Sequence, residues 1–522
     1  MMAAATTLKA LCAVLALVST ALAAVHPYQG EYFYAVSDAF IFRGGREGMI
    51  ASKSEAVDEW GTVAKGVSNG KSYIRFSNVV FERPKSVANE YGPRDGDTGL
   101  VQAVVFDVND RDRIGYSADG YSRRYCCDKD LVAKTRCYPG RVIVQQNEQG
   151  GGDWPWVTDI YFSDNETLAY AVDEAVTIEK TGMYYLWFVV CDPNLAGVTV
   201  SGQTTWKNPQ GYLPGMMAPN LKFYGLMALA YLVLGFSWFV LYALNWRDVL
   251  AIQNCITVVV FLGMVEMATW YFDYTNFNAT GFRPYATTLF AVLLGTVRKT
   301  VSRMLILVVS MGYGVVRPTL GGLSRRVLAL GAAYFTAASA LDVMTNVGTI
   351  DDLTSSARII LVLPVAVLDA VFILWIFTAL SRTLSQLSQR RQGTKLTLYR
   401  QYTNALAISV VVSSLWIAYE MYFKMQDSFN EHWQTDYINN AFWHILSFLL
   451  LTIICVLWRP TDKATRYAYD ADAGDQEIDE LLGASAPSSS GDSAGDKKEV
   501  EMASASEKVF AIDDEEGGGK MA

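Results

Sequence analysis

Between Leu221 and Leu457 the chain carries seven apolar, helix-length stretches, and they follow a region of roughly two hundred residues with soluble-looking composition. Each stretch holds about 20 or more mostly apolar residues, enough to cross ~30 Å of hydrocarbon. In hydrocarbon only a helix or a closed barrel satisfies its own backbone, so stretches of this length read as helices. The expected spans are 221–244, 249–271, 286–316, 327–347, 358–380, 402–423 and 440–458. The third is the longest; at about 31 residues it would reach ~46 Å and must tilt or project past the headgroups. The fold class expected is a multi-pass α-helical membrane protein. Its seven-helix bundle (221–458) sits between an N-terminal β-sandwich domain (24–220) and a C-terminal tail (459–522).

Residues 1–23 read as a secretory signal peptide: Lys9 is the basic element, Leu11 to Leu17 the apolar core, and Ala21-Leu22-Ala23 an A-x-A cleavage site. This places the N-terminal domain in the lumen. Loop charge agrees. With a lumenal N-terminus, the cytosolic loops and early tail hold twelve Arg and Lys, against Arg283, Arg358 and Lys424 on the lumenal side.

The lumenal domain reads as β-rich. Tyr73–Phe81, Val101–Val108, Val157–Phe162, Met183–Cys191 and Gly197–Thr205 are rich in β-branched and aromatic residues, with Gly, Asn and Asp turns between them. Four cysteines fall here: Cys126, Cys127, Cys137 and Cys191. In an oxidising lumen an even set implies disulfides, with three pairings open; a bond within the adjacent pair Cys126-Cys127 is disfavoured by geometry. A metal site is not expected, because the ligand spacing and a nearby His are lacking. Two glycosylation sequons begin at Asn165 and Asn278, the second close to the bilayer.

The departures from apolarity inside the spans are the sharpest functional signal. Arg298, Lys299 and Arg303 sit in mid-span three, with Lys299 and Arg303 four apart on one face. The other spans offer Glu266, Asp342, Asp369 and Glu420. Each charge at bilayer depth costs at least ~2.5–3.5 kcal/mol, so these groups must pair or face a hydrated cavity. Two readings follow: a polar cavity around helix three that holds an ion path, a lipid headgroup or a ligand, and a salt-bridge network that fixes helix packing. Glu266, Asp342 and Glu420 lie toward the lumenal ends of their spans, so a cavity is expected to open there. Pro364 can kink span five.

The net charge of −9 belongs to the tail, where 16 acidic residues face 7 basic ones from Arg459 onward. It therefore carries no implication of nucleic-acid binding. The tail is low in complexity from about Ala471 and reads as disordered. Within it, Glu477 precedes Leu481 and Leu482 by four and five residues, the acidic dileucine pattern that docks on clathrin adaptors. No catalytic motif or cofactor-binding loop is present, and the histidines are three: His26, His432 and His444. His444 reads as a packing or hydrogen-bonding residue.

Several strings, taken together, resemble one family. Trp206-Lys207-Asn208-Pro209 and Gly211-Tyr212-Leu213-Pro214-Gly215 bridge the lumenal domain to span one. Ser310-Met311-Gly312-Tyr313-Gly314 ends span three, Trp375-Ile376-Phe377 lies in span five, and Lys395-Leu396-Thr397-Leu398-Tyr399-Arg400 precedes span six. Trp458-Arg459-Pro460 closes span seven. The combination resembles the GOST family, seven-helix proteins with a Golgi-dynamics domain once called lung seven-transmembrane receptors, in a branch that looks like the transmembrane protein 87 proteins. The resemblance implies a GOLD-like lumenal β-sandwich, Golgi and endosome residence, and retrograde endosome-to-Golgi traffic. It also implies cavity roles for Lys299, Arg303 and Glu266. The lumenal loop between spans six and seven has no cysteine, which excludes a disulfide from that loop to the lumenal domain.

The expected function is that of a trafficking protein. It would bind unknown lumenal cargo or membrane lipid, including phospholipid, through the lumenal domain and the cavity, and adaptors through the tail. A cation channel using the cavity is the alternative. A G-protein-coupled receptor is the third reading, supported only by the helix count, since no Asp/Glu-Arg-Tyr or Asn-Pro-x-x-Tyr signature appears.

Overall fold

The computed structural model describes residues 24–51, 72–90, 99–117, 122–135, 137–145, 154–163, 166–247, 249–313, 322–347, 355–390, 392–427 and 431–460. The signal segment, the sequon asparagine Asn165 and the tail residues Glu477, Leu481 and Leu482 lie outside them.

The N-terminal domain is two packed antiparallel sheets. One runs β1 (Val25–Tyr32), β10 (Thr199–Lys207), β4 (Tyr73–Glu82), β7 (Leu168–Tyr170), with β8 (Ala175–Thr177) also paired to β4. The other runs β2 (Tyr34–Val36), β3 (Ala39–Met49), β9 (Gly182–Val190), β5 (Leu100–Asp107), β6 (Trp156–Tyr161). Alternate residues of β4, Ile74 and Phe76, point into the core against Val101, Ala103, Leu186 and Phe188. The alternation slips where Gly202 (φ +120°) forms a bulge in β10; the backbone of Asn78 and Val79 occupies the place a Cβ would need. The second sheet is covered on both faces. Its outer side carries Ile41, Val104, Phe106 and Val189 under Ile114, Cys126 and Val142, which explains why β5 and β9 read as nearly continuous apolar runs.

The five expected strands are present within two residues. β1 and β3 were not expected. In β3 the run Arg43-Gly44-Gly45-Arg46-Glu47-Gly48 is strand, and neighbouring rings press on its backbone. A methyl on Gly44 would lie 2.8 Å from the Phe188 ring, and one on Gly48 2.7 Å from the Trp433 indole.

The disulfides are Cys126–Cys191 and Cys127–Cys137. The first ties the covering loop to the end of β9 across 65 residues. Changing Cys191 to Ser is expected to cost about 2–5 kcal/mol, read as a lower denaturation midpoint of the N-terminal domain. Peptide mapping under non-reducing conditions should recover these two pairs, and a Cys126–Cys137 peptide would contradict the pairing.

Among the described residues seven long helices follow: α1 (Ala218–Leu244), α2 (Ala251–Thr280), α3 (Tyr285–Ser310), α4 (Leu323–Val347), α5 (Ser355–Gln389), α6 (Gly393–Gln426) and α7 (Tyr437–Leu457). Six are long and apolar enough to cross a membrane by length and composition; α3, with its three basic residues, is the other. The third span is shorter than expected. It stops at Ser310, where Met311 caps the helix and Gly312 turns with φ +82°, so α3 measures about 39 Å. Its last carbonyls are capped from neighbouring helices. Thr383 donates to Ser310 O at 2.8 Å, Tyr399 to Val309 O at 3.3 Å, and Tyr402 to Ile306 O at 3.1 Å. This is a reason that α5 and α6 continue past their expected apolar limits. Pro364 lies inside α5, which continues through it.

The sandwich is joined to the bundle without a disulfide. Trp433, buried in the loop before α7, packs with Val108 and Met183 of the sandwich. Gly215 N donates to Gly48 O at 2.8 Å. Asn208 accepts from Ile50 N at 2.9 Å and donates to Leu213 O at 3.1 Å. Asn278, the asparagine of the second sequon, also serves this joint. Its Nδ2 donates to Gln210 O at 3.0 Å and its Oδ1 accepts from Leu213 N at 3.1 Å. A sugar on Nδ2 would compete with the contact to Gln210, so the amide acts here as a tie.

Candidate functional site

The charged residues of α3 are paired, each with a different helix. Arg298 meets Glu266 of α2, and both side chains are at most 3% exposed. Arg298 also donates to Ser447 Oγ of α7 at 2.9 Å. Lys299 Nζ lies 2.9 Å from Asp342 Oδ2 of α4, which accepts from Thr296 as well. Arg303 Nε lies 2.7 Å from Asp369 Oδ1 of α5, with its guanidinium 4.4 Å from the centre of the Tyr334 ring. Arg298 leaves the helix about a quarter turn from the face that Lys299 and Arg303 share one turn apart, and together they tie one helix to four others. Gly295 makes the innermost pair possible, since a Cβ there would lie 2.8 Å from Glu266 Oε1.

Six of the seven expected cavity residues are thus brought together around α3. Glu420 is not. It pairs with Lys424 one turn along its own helix at 2.6 Å, a surface i,i+4 pair. A further buried pair was missed: Arg283 and Asp273, 2.8 Å apart, with Thr288 also donating to Asp273. Asp273 lies just past the expected end of span two, which in fact continues to Thr280.

A polar cavity of about 80 Å³ opens beside the pairs. Glu266, Lys299, Asp342, Tyr224, Asn440 and His444 are among its walls. The volume suffices for a few waters or a small polar group. The lining places it in the half of the bundle nearer the sandwich: Tyr224 is early in α1, Asn346 is in the last turn of α4 and Asn440 is in the first turn of α7. Lys299 is its open cation, with 40% of its side chain exposed. Asn440 donates to Tyr224 OH at 3.0 Å. His444 does pack, edge-on to Tyr224, but its Nδ1 has no hydrogen-bond partner. Its signal in the sequence was a lone polar ring in an apolar span. Cavity and salt-bridge network are therefore not exclusive: the network forms one wall of the cavity.

The family model for the GOST seven transmembrane domain matches residues 219–465. Transmembrane protein 87A of Xenopus tropicalis is 35% identical over 362 residues, 68% of this chain and 64% of that protein. Transmembrane protein 87B of Mus musculus is 34% identical over 276 residues, 52% of this chain and 49% of its own length. Membrane protein PTM1 of Saccharomyces cerevisiae is 25% identical across 71% of this chain and 72% of that protein. The matches thus span about half to two thirds of the length of the transmembrane protein 87 relatives. The matched segment contains every charged pair described above, on a bundle of seven helices, and the chain belongs to the GOST family of seven-transmembrane proteins, in its transmembrane protein 87-like branch.

Proposed function

We propose that this protein serves membrane traffic between endosomes and the Golgi, and that it holds the polar headgroup of a lipid or lipid-modified cargo in the cavity lined by α1, α2, α3, α4 and α7, without catalysis. The observation that supports this reading is the half-exposed Lys299 ammonium at the cavity wall, beside the carboxylates of Asp342 and Glu266. A phosphate finds the ammonium, and an amine finds the carboxylates. Conduction ranks second. Each basic residue of α3 has a carboxylate partner, which leaves no unpaired ring of like charge among these groups to line a path. The tail dileucine at Leu481 and Leu482 would supply adaptor binding.

Native mass spectrometry of the full chain released from lipid nanodiscs tests the cavity. The wild type should retain a lipid-mass adduct that Lys299→Met weakens about tenfold, with Lys299→Arg intermediate. A wild type that carries no retained adduct, or a variant that keeps it, overturns the reading. Changing Leu481 and Leu482 to Ala should shift the protein toward the cell surface; an unchanged distribution removes the adaptor mechanism.

A further inference from the structure

The joint between sandwich and bundle has a titratable pair built against it. His26 on β1 and Glu47 on β3 approach to 2.9 Å through Nε2 and Oε1. Glu47 is 4% exposed, and its second oxygen has no hydrogen-bond partner. The His26 side chain is 27% exposed, which gives protons a route in. The next residue along β3 is Gly48. Its carbonyl accepts the Gly215 amide from the linker into α1, and its backbone lies against Trp433 from the loop before α7. The position of Glu47 therefore sets the position of the strand residue on which both the linker and the loop rest.

We propose that His26 and Glu47 form a pH-operated latch that tightens the joint between the N-terminal sandwich and the helix bundle as the solution around the sandwich becomes mildly acidic. The proposal is independent of what occupies the cavity.

The pair carries one negative charge when the imidazole is neutral and the carboxyl ionised, in a site where one oxygen goes unsatisfied. A single proton taken from water, shared between Nε2 and Oε1, brings the pair to neutrality and removes the cost of a buried charge. Burial pushes the Glu47 carboxyl above the ordinary carboxylate range, with His26 opposing. A carboxyl raised in the folded form stabilises that form most when protonated, and the contribution fades as pH rises through the folded value. The joint is accordingly tighter in acid and looser toward neutrality.

Among the described residues, the charged and titratable groups of the adjoining strands act on other partners. β1 adds Tyr28, whose hydroxyl bonds Gly44 O and Thr204 and whose own titration is raised mainly by burial and further by Glu47. Arg43 and Arg46 of β3 act on Tyr185 of β9, Arg46 being on the strand face opposite Glu47. Tyr184 of β9 feels Asp107, Asp110 and Glu179. Lys207 of β10 is engaged over the Tyr212 ring at 4.7 Å, and on β4 Arg75 pairs with Asp173, beside Tyr73. The neighbour that acts on the Glu47 carboxyl is His26.

Hydrogen exchange of the full chain in nanodiscs provides the test, read as protection factors corrected for intrinsic exchange. Between about pH 7.5 and about pH 5.5 the amides of Tyr212, Leu213 and Gly215 should gain on the order of tenfold in protection. Amides in mid-α2 should not change. Glu47→Gln, isosteric and uncharged, should be protected at both pH values without the step. His26→Asn should alter the step while Cys126–Cys191 and the sandwich core stay intact. A wild type whose joint amides do not respond, or respond in the opposite sense, overturns the latch. So does a Glu47→Gln protein that keeps the wild-type step.

Discussion

Changing Arg298 to Ala is expected to destabilise the bundle by about 3–5 kcal/mol, because it leaves the Glu266 carboxylate buried without its partner. Glu266 is 1% exposed, so bulk water has little access to solvate the carboxylate in place of the guanidinium. The Ser447 hydroxyl would lose its donor as well. Heating the detergent-purified protein and following tryptophan fluorescence should show a markedly lower midpoint. The double change Glu266→Leu with Arg298→Met should recover most of the loss, since an apolar pair of similar volume fills the same space without a charge to desolvate. Lys299→Ala should cost much less, about 1 kcal/mol or below, because Lys299 and Asp342 are 40% and 20% exposed and screened. If the double variant is as unstable as the single one, or Lys299→Ala as damaging as Arg298→Ala, the ranking by burial is wrong.

The second large effect is expected at Trp433. Its indole is 5% exposed and packs on Val108, Met183 and the backbone of Gly48. Trp433→Ala should remove about 3–5 kcal/mol from that contact. The loss should fall on docking and not on either core. The sandwich cluster around Phe76 and Phe188 and the bundle cluster around Tyr231 and Trp270 are separate from the Trp433 cluster. Exchange protection should therefore drop at Gly48, Ile50 and the linker amides while the interiors of β9 and α2 keep theirs. Gly48→Ala should act in the same direction, since its methyl would lie 2.7 Å from the indole. Joint amides that stay protected in Trp433→Ala would show that the asparagine ties at Asn208 and Asn278 hold the joint alone.

Much of this architecture was legible in the residues, for a physical reason that differs by part. The seven helices could be located because membrane crossing is a local property: each segment must be apolar for its own length and satisfy its own backbone. The limits were less legible. α3 ended early at Ser310, before the turn at Gly312, and α5 and α6 ran past their apolar limits to bring Thr383 and Tyr399 onto its last carbonyls, a requirement set by a neighbour. In the sandwich the β-branched strands were readable, but β3 hid in a glycine run that only the pressing rings of Phe188 and Trp433 explain.

The sequence by itself determined that there would be seven helices behind a β-rich domain, that four cysteines would bond, and that the buried charges of α3 needed partners. The tertiary structure alone decided who those partners are. Glu266 was taken by Arg298, Asp342 by Lys299 and Asp369 by Arg303, while Glu420 was left to its own helix and Asp273 joined Arg283. The same holds for the cysteine pairs and for Trp433 bracing a joint that has no disulfide. Apolar length and charge count are properties of a segment, whereas the partner of a charge depends on how helices are rotated and packed, and hydrocarbon penalises every charge without choosing its mate.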